Sequence, residues 1–137
     1  MKVRTTTEFS RAAGSCFKSY LTADYKELVR LFGEPTNGDG YKVQAEWIVI
    51  LPDDDGLEHV ATIYDWKQGM AYWGIEGEGI PPEMVKEWHI GGRSYRAVEL
   101  LNAYIEEQRE LEMERAWQRY AADGMEGWDM AWLEEGL

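Results

Sequence analysis

Two apolar segments on either side of a short acidic turn constrain the fold of this chain most. Residues 41–51 read YKVQAEWIVIL and residues 59–66 read HVATIYDW, with PDDDGLE between them. Alternate positions of the first segment form one apolar face, made of Val43, Ala45, Trp47, Val49 and Leu51. Ile48 and Ile50 lie on the other face, which predicts that this end of the strand is covered on both sides. A period of two bounded by turn residues predicts an antiparallel β-hairpin.

Shorter stretches predict the strands that complete the sheet. Residues 1–7, MKVRTTT, favour a short strand or an extended arm. Residues 84–90 predict another strand, which the pair Gly91 and Gly92 would close. A further short strand is expected at Ala71–Trp73, within a glycine-rich loop.

Two segments before the hairpin favour helices. Residues 22–33, TADYKELVRLFG, carry an apolar stripe at helical spacing. Thr22 is a suitable N-cap and Gly33 a suitable C-terminal stop, so this segment predicts a helix. Residues 8–21 also favour a helix, interrupted at Gly14.

The C-terminal third predicts one long helix followed by a short one. Ser94 is a good N-cap for a helix over about 95–122, and Gly124 is expected to end it. The first half of the long helix has an apolar stripe at Val98, Leu101, Tyr104 and Ile105. In the short final helix, Trp128 and Trp132 are four residues apart and share a face.

These elements predict an α+β fold, with a small antiparallel sheet packed against helices and a long acidic C-terminal helix. A chain of 137 residues suits one compact domain. We expect residues 1–93 to form the α+β core and residues 94–137 to form an acidic helical region packed on the same domain.

The charge balance excludes several classes of function. The chain has 26 acidic and 14 basic residues and a formal net charge of −12. Direct binding of nucleic acid or of an anionic membrane needs a basic surface, which the composition does not offer. The N-terminus lacks the apolar segment of a signal peptide and no run is long enough to span a membrane, so we expect a cytoplasmic protein.

Motifs for metal or phosphate chemistry are missing from the sequence. His59 and His89 are far apart, and neither has the ligand spacing of a zinc site, so we expect no metal and no cofactor. The glycine-rich stretch at 74–79 carries Glu76 and Glu78, which would repel a phosphate. The single cysteine, Cys16, excludes an internal disulfide and is expected to be a buried structural residue.

The segment IYDWK at 63–67 predicts a small polar and aromatic cluster. Asp65 and Lys67 are two residues apart in a predicted strand, which places them on one side. One interpretation is an ion pair beside aromatic packing; the other is a ligand pocket with a polar handle. The residues of that pocket would be Tyr64, Asp65, Trp66 and Lys67, with Tyr72 and Trp73 nearby and Arg93 or Arg96 as cations for an anionic ligand.

The segment YIEEQRELEMER at 104–115 favours a helix that repels itself. Carboxylates four residues apart stack on one side, and each like-charge pair costs a few tenths of a kcal/mol. The stretch from Glu99 to Leu137 has eleven acidic residues and three arginines, a net charge of −8. Such a helix is either a solvated surface or a contact surface that imitates nucleic acid for a basic partner. The candidate contact residues are Glu106, Glu107, Glu110, Glu114, Trp117, Trp128 and Trp132.

The pattern FGEP at 32–35, ATIYDWK at 61–67 and WHIGG at 88–92 resembles small, mostly uncharacterised proteins of bacteriophages and prophages. The resemblance covers about residues 20–93, and the acidic tail after residue 105 is outside it. It implies a protein made inside a bacterial host. It also favours an inhibitor of a host nuclease or defence complex, of the anti-CRISPR kind.

Four functions follow from these observations. The leading hypothesis is a non-enzymatic inhibitor that binds a basic, nucleic-acid-handling host protein, such as a CRISPR-associated nuclease complex. The alternative is a protein that binds a small ligand or signal nucleotide in an aromatic pocket. An enzyme of unrecognised type and a self-associating protein, such as a homodimer through the long helix, are the other two.

Overall fold

A computed structural model of the chain describes residues 1–73, 77 and 79–135, and at 70, 71 and 124–135 it describes the backbone alone. In this part of the chain five strands form one antiparallel sheet in the order β1-β3-β4-β5-β2. The strands are β1 (Arg4–Thr6), β2 (Cys16–Thr22), β3 (Glu46–Pro52), β4 (Glu58–Tyr64) and β5 (Glu87–Gly92). The helices are α1 (Tyr25–Phe32), α2 (Met70–Trp73) and α3 (Tyr95–Glu135), with 3₁₀ turns at Phe9–Ala12 and Pro82–Met84. The predicted α+β class is confirmed.

The predicted hairpin is present as β3 and β4, with Trp47 opposite Ile63. The acidic turn is stabilised by the Asp53 carboxylate, whose Oδ1 accepts hydrogen bonds from the backbone N–H groups of Asp55 and Leu57. Both faces of β3 are buried: Trp47, Val49 and Leu51 lie on one face and Ile48 and Ile50 on the other, and none is more than 2% exposed. The strand begins at Glu46, later than predicted, since the preceding residues form a turn that ends in buried Val43 and Ala45.

Two tryptophans hold α1 across the sheet, one at each end of the helix. The indole Nε1 of Trp88 on β5 donates to the carbonyl of Ala23, 3.0 Å away and just before α1. The Nε1 of Trp47 on β3 donates to the carbonyl of Gly33, 2.8 Å away and just after α1. The two indole rings contact each other edge to face at 5.3 Å, and neither side chain is more than 2% exposed. The core therefore lies between α1 and the central strands.

The N-terminal part of the chain differs from the sequence prediction. Residues 8–21 do not form an interrupted helix: after the short 3₁₀ turn, β2 pairs antiparallel with β5. Thr22 lies in β2, and Asp24 takes the N-cap position of α1 instead. Gly33 ends α1 with φ 81°, as predicted.

Three other predictions about secondary structure are corrected. Residues 70–73 form a single helical turn, α2, in place of the expected strand. Gly91 and Gly92 lie within β5 instead of following it. A Cβ on Gly91 would be 2.5 Å from Thr62 Oγ1, so the packing of β5 against β4 needs glycine at this position. The backbone of α3 continues through Gly124 to Glu135, so the expected break and separate final helix are absent.

The chain forms two compact units, residues 1–102 and 103–137. The first contains the whole sheet, α1, α2 and the first two turns of α3. The second contains the rest of α3. Within the described residues, no helix is both long enough and apolar enough to cross a lipid bilayer.

Candidate functional sites

The part of α3 from Glu106 to Asp123 has no buried side chain, although Gln108, Arg109 and Glu112 on one side of the helix are half-buried. In the preceding turns, Leu101 and Ile105 are buried. A helix without a buried face gains no stability from packing, so it depends on intrinsic propensity and on pairs within the helix. Glu112 supplies two such pairs, with Arg115 at 4.0 Å and Arg119 at 3.7 Å.

Four of the seven predicted contact residues, Glu106, Glu110, Glu114 and Trp117, share one side of this helix. At about 100° per residue, one sector of ~120° contains three carboxylates and three apolar side chains. We call this sector the acidic face, and it consists of Glu106, Glu110, Met113, Glu114, Trp117 and Tyr120. Its centre lies about 120° around the helix from the buried Ile105. Glu107 falls just beyond its edge, and the side chains of Trp128 and Trp132 lie outside the described residues.

Two aromatic rings of the acidic face are stacked in the open. Trp117 and Tyr120 have ring centroids 5.8 Å apart with planes inclined by 28°, and their side chains are 67% and 52% exposed. Large aromatic residues beside charged groups are typical of the energetically dominant positions in protein interfaces. The acidic face therefore combines regular negative charge with an apolar anchor.

A second aromatic cluster lies on one face of the sheet and includes part of the predicted ligand pocket. Tyr64 contacts Trp66 at 6.4 Å and His89 at 5.5 Å between ring centroids. His89 also contacts Tyr20 at 5.0 Å and Phe17 at 4.9 Å. These five rings form a continuous row across β2, β5 and the end of β4, which we call the aromatic row.

Sequence reasoning missed three members of the aromatic row: Phe17, Tyr20 and His89. The first two lie on β2, which was not predicted as a strand. The register that brings Tyr20 opposite His89, and His89 opposite Tyr64, depends on pairing between segments far apart in the chain. The aromatic and β-branched residues at 16–22, namely Phe17, Tyr20 and Thr22, are a local signal that could have indicated this strand.

Two lysines lie over the Trp66 end of the aromatic row. Lys42 Nζ is 5.8 Å and Lys67 Nζ is 5.4 Å from the Trp66 ring centroid, and Lys67 Nζ is 5.6 Å from that of Tyr72. Lys67 has φ 58°, a left-handed conformation that is uncommon outside glycine. Its backbone is fixed on both sides: its N–H donates to the Lys42 carbonyl and its carbonyl accepts from Trp73 Nε1, each at 2.7 Å.

Asp65 is a buried structural residue and not the polar handle of a pocket. Its Oδ1 accepts hydrogen bonds from the backbone N–H groups of Gln44 and Ala45, at 2.9 and 3.0 Å. Burial raises the pKa of this carboxyl, although those backbone donors oppose the increase. The expected ion pair with Lys67 does not form, because the chain leaves the strand after Tyr64 and Lys67 points its ammonium over the rings.

The arginines proposed for the pocket lie elsewhere. Arg93 follows Gly92, the last residue of β5. Gly92 pairs with Ala61, whereas Tyr64 pairs with His89, so Arg93 lies near the end of the β4–β5 pair that is away from Tyr64. Its Nε donates to the carbonyl of Ala13 at 2.6 Å. Arg96 pairs with Glu99 at 3.3 Å. Neither guanidinium therefore belongs to the aromatic row.

Cys16 and His59 are the remaining polar candidates. Cys16 is exposed and not buried as expected, because it begins the edge strand β2, and Lys18 Nζ lies 3.2 Å from its thiol. His59 pairs with Asp53 at 2.9 Å next to the hairpin turn. Among the described residues, no group of three or more histidine, cysteine or acidic side chains could hold a metal ion.

A cleft of about 330 Å³ opens beside β1 and β3. It is lined by Thr5, Thr6, Thr7, Glu34, Thr36, Glu46, Trp47 and Ile48. Burial raises the pKa of the Glu46 carboxyl, and Asp39 adds to this effect. The two glutamates make this cleft unsuitable for an anion.

Comparisons of the chain with family models, curated proteins and solved structures found no match.

Proposed function

We propose that this protein is a non-enzymatic inhibitor that binds a basic, nucleic-acid-handling protein of a bacterial host and occludes its nucleic-acid groove. The acidic face is the contact surface. The proposed setting is a phage-infected cell and the proposed target is a defence nuclease complex, on the anti-CRISPR pattern. The observation that supports the proposal best is the exposed Trp117–Tyr120 stack, which follows Glu114 on a stretch of helix without a buried residue.

Each part of the acidic face has a separate role in this proposal. Glu106, Glu110 and Glu114 recur about every 6 Å along the helix axis, at a rise of ~1.5 Å per residue. A regular line of negative charge attracts a groove that binds phosphates, and such attraction contributes mainly to the association rate and to specificity. Trp117 and Tyr120 would supply the apolar contact that slows dissociation.

The proposal predicts that charge reversal on the acidic face weakens partner binding without unfolding the protein. In the variant Glu106→Lys/Glu110→Lys/Glu114→Lys, like charges replace like charges, so helix stability changes little. Affinity for the basic partner should fall about 10- to 100-fold, since three attractive contacts become repulsive. The loss should be largest at low salt, where screening is weakest. Affinity capture from a bacterial host lysate followed by a titration with the purified partner would measure it.

A matched control separates the acidic face from overall charge. The variant Glu8→Lys/Asp54→Lys/Glu83→Lys changes net charge by the same amount at exposed positions of the first unit. This control variant should retain most of the affinity for the partner. A variant with glutamine at Glu106, Glu110 and Glu114 should lose less affinity than the variant with lysine at the same positions. If the reversed variant and the control bind the partner as well as the parent does, the acidic face is a solvated surface and the proposal is wrong.

A further inference from the structure

We propose that the aromatic row, together with Lys42 and Lys67, is a binding site for a free nucleotide. The base would stack on Trp66, with Tyr64 at its edge since the two ring planes are inclined by 85°, and the phosphate would contact the two ammonium groups. This site is on the first unit and uses none of the residues of the acidic face, so the inference is independent of the proposed function.

The rings of the aromatic row are available for stacking. Phe17 is 45%, Tyr20 is 57% and Trp66 is 38% exposed, although their other faces pack against neighbouring rings. An open row of aromatic side chains on an antiparallel sheet accepts any nucleobase, because every base has a π face. The 3₁₀ turn at Phe9–Ala12 lies near β3 and β4, whereas the aromatic row lies on β2, on β5 and at the end of β4.

The two lysines give this surface a local positive charge that the whole molecule lacks. Among the described residues neither Lys42 nor Lys67 makes an ion pair within 4.0 Å. Backbone hydrogen bonds and the Lys42 charge lower the pKa of the Asp39 carboxyl, and both lysine ammonium groups lie over the Trp66 ring, so a phosphate would have to draw them from these contacts. The hydrogen bond between their backbones holds the two residues side by side. The left-handed backbone of Lys67 is a conformation that costs free energy and is concentrated at functional sites.

Carboxylates near the rest of the row orient the ligand. The charge of Glu46 acts on Tyr64, and the charge of Glu87 acts on His89. Burial lowers the pKa of His89, so its imidazole is neutral near pH 7 and contributes a ring surface and no positive charge. Phosphate is therefore favoured only at the Trp66 end, where the lysines lie.

Overall charge selects a compact ligand over a polynucleotide. The net charge of −12 repels a long polyanion, whereas one nucleotide places its few charges directly beside the lysines. We therefore expect ATP to bind more tightly than a single-stranded oligonucleotide at low salt. We also expect adenosine and inorganic triphosphate each to bind more weakly than ATP, since each supplies half of the contacts.

The test is protein-observed NMR and calorimetry on the full chain with ATP. We expect chemical-shift changes at Tyr64, Trp66 and His89 and at the backbone of residues 42 and 67. Trp66→Ala should weaken ATP binding about tenfold or more, given the usual effect of removing one stacking ring. Lys42→Gln/Lys67→Gln should weaken it about as much and reduce its salt dependence. Two controls remove the same kinds of side chain away from the proposed site: Trp117→Ala and Lys2→Gln/Lys26→Gln. Neither control should change the affinity for ATP.

Three results would overturn the inference. The first is no ATP-induced shift at the aromatic row up to millimolar ligand. The second is unchanged affinity in both the Trp66 variant and the double-lysine variant. The third is perturbation of the same rings by an oligo-arginine peptide and not by ATP, which would identify the row as a protein-binding surface. Because the experiment uses ATP alone, its outcome is independent of whether the acidic face binds a basic protein.

Discussion

Replacing Trp47 with alanine is expected to destabilise the first unit by ~3–5 kcal/mol, the usual cost of removing a large buried aromatic side chain. Trp47 is 2% exposed and its ring contacts both Tyr25 and Trp88. The substitution also removes the hydrogen bond that the indole donates to the Gly33 carbonyl. One end of α1 would then lose its attachment to the sheet.

A phenylalanine at the same position separates packing from hydrogen bonding. Trp47→Phe keeps most of the apolar volume and leaves the Gly33 carbonyl without its donor, which should cost ~1–3 kcal/mol. Denaturant titrations of parent, Trp47→Phe and Trp47→Ala would measure the two contributions. A loss below about 1 kcal/mol for alanine would show that Trp47 does not hold α1, since surface substitutions change stability by roughly 0.5 kcal/mol.

Replacing Asp65 with alanine is expected to cost about 2–6 kcal/mol, because the backbone N–H groups of Gln44 and Ala45 lose their acceptor, at ~1–3 kcal/mol for each group. Asp65→Asn should cost much less, since the amide oxygen can still accept both hydrogen bonds. Oδ2 of Asp65 has no hydrogen-bond partner among the residues that the structure describes, so these leave one of its two carboxylate oxygens unpaired.

The Asp65 carboxyl also predicts a pH dependence of stability. Burial raises its pKa in the folded protein above the ordinary value of 3.8, so the folded state holds a proton that the unfolded state releases. Its contribution to stability is therefore complete below pH 3.8 and is lost as pH rises through the folded-state pKa. The stability of Asp65→Asn relative to the parent should increase over this pH window and then level off. Parallel pH profiles for the two proteins, measured by denaturant unfolding, would contradict this account.

The parts of the fold that follow from local sequence signals were predictable. The β3–β4 hairpin has a period of two on each side of an aspartate-rich turn, and α1 ends at a glycine in the left-handed conformation. Burial of Trp47 follows from the same alternation. The repeat of Glu106, Glu110 and Glu114 likewise predicts a shared helix face, because that spacing is fixed by helix geometry alone.

The parts that depend on distant pairing were not predictable. β2 is an edge strand in which only Leu21 is buried, so its outward residues resemble those of a surface helix. Its partner β5 is far along the chain, and only that pairing brings Phe17, Tyr20 and His89 together. Lys67 was assigned to the strand beside Asp65, but β4 ends at Tyr64 and the alternation ends with it.

The central claim is that the acidic face occupies a nucleic-acid groove, and competition with nucleic acid tests it most directly. The purified partner would be bound to a fluorescently labelled nucleic acid and titrated with the parent protein or with Glu106→Lys/Glu110→Lys/Glu114→Lys. We predict that the parent releases the nucleic acid in a one-to-one titration, whereas the reversed variant needs a concentration about 10- to 100-fold higher for the same release. A ternary complex of partner, nucleic acid and parent protein would contradict the claim, because the groove would then be free while the acidic protein is bound.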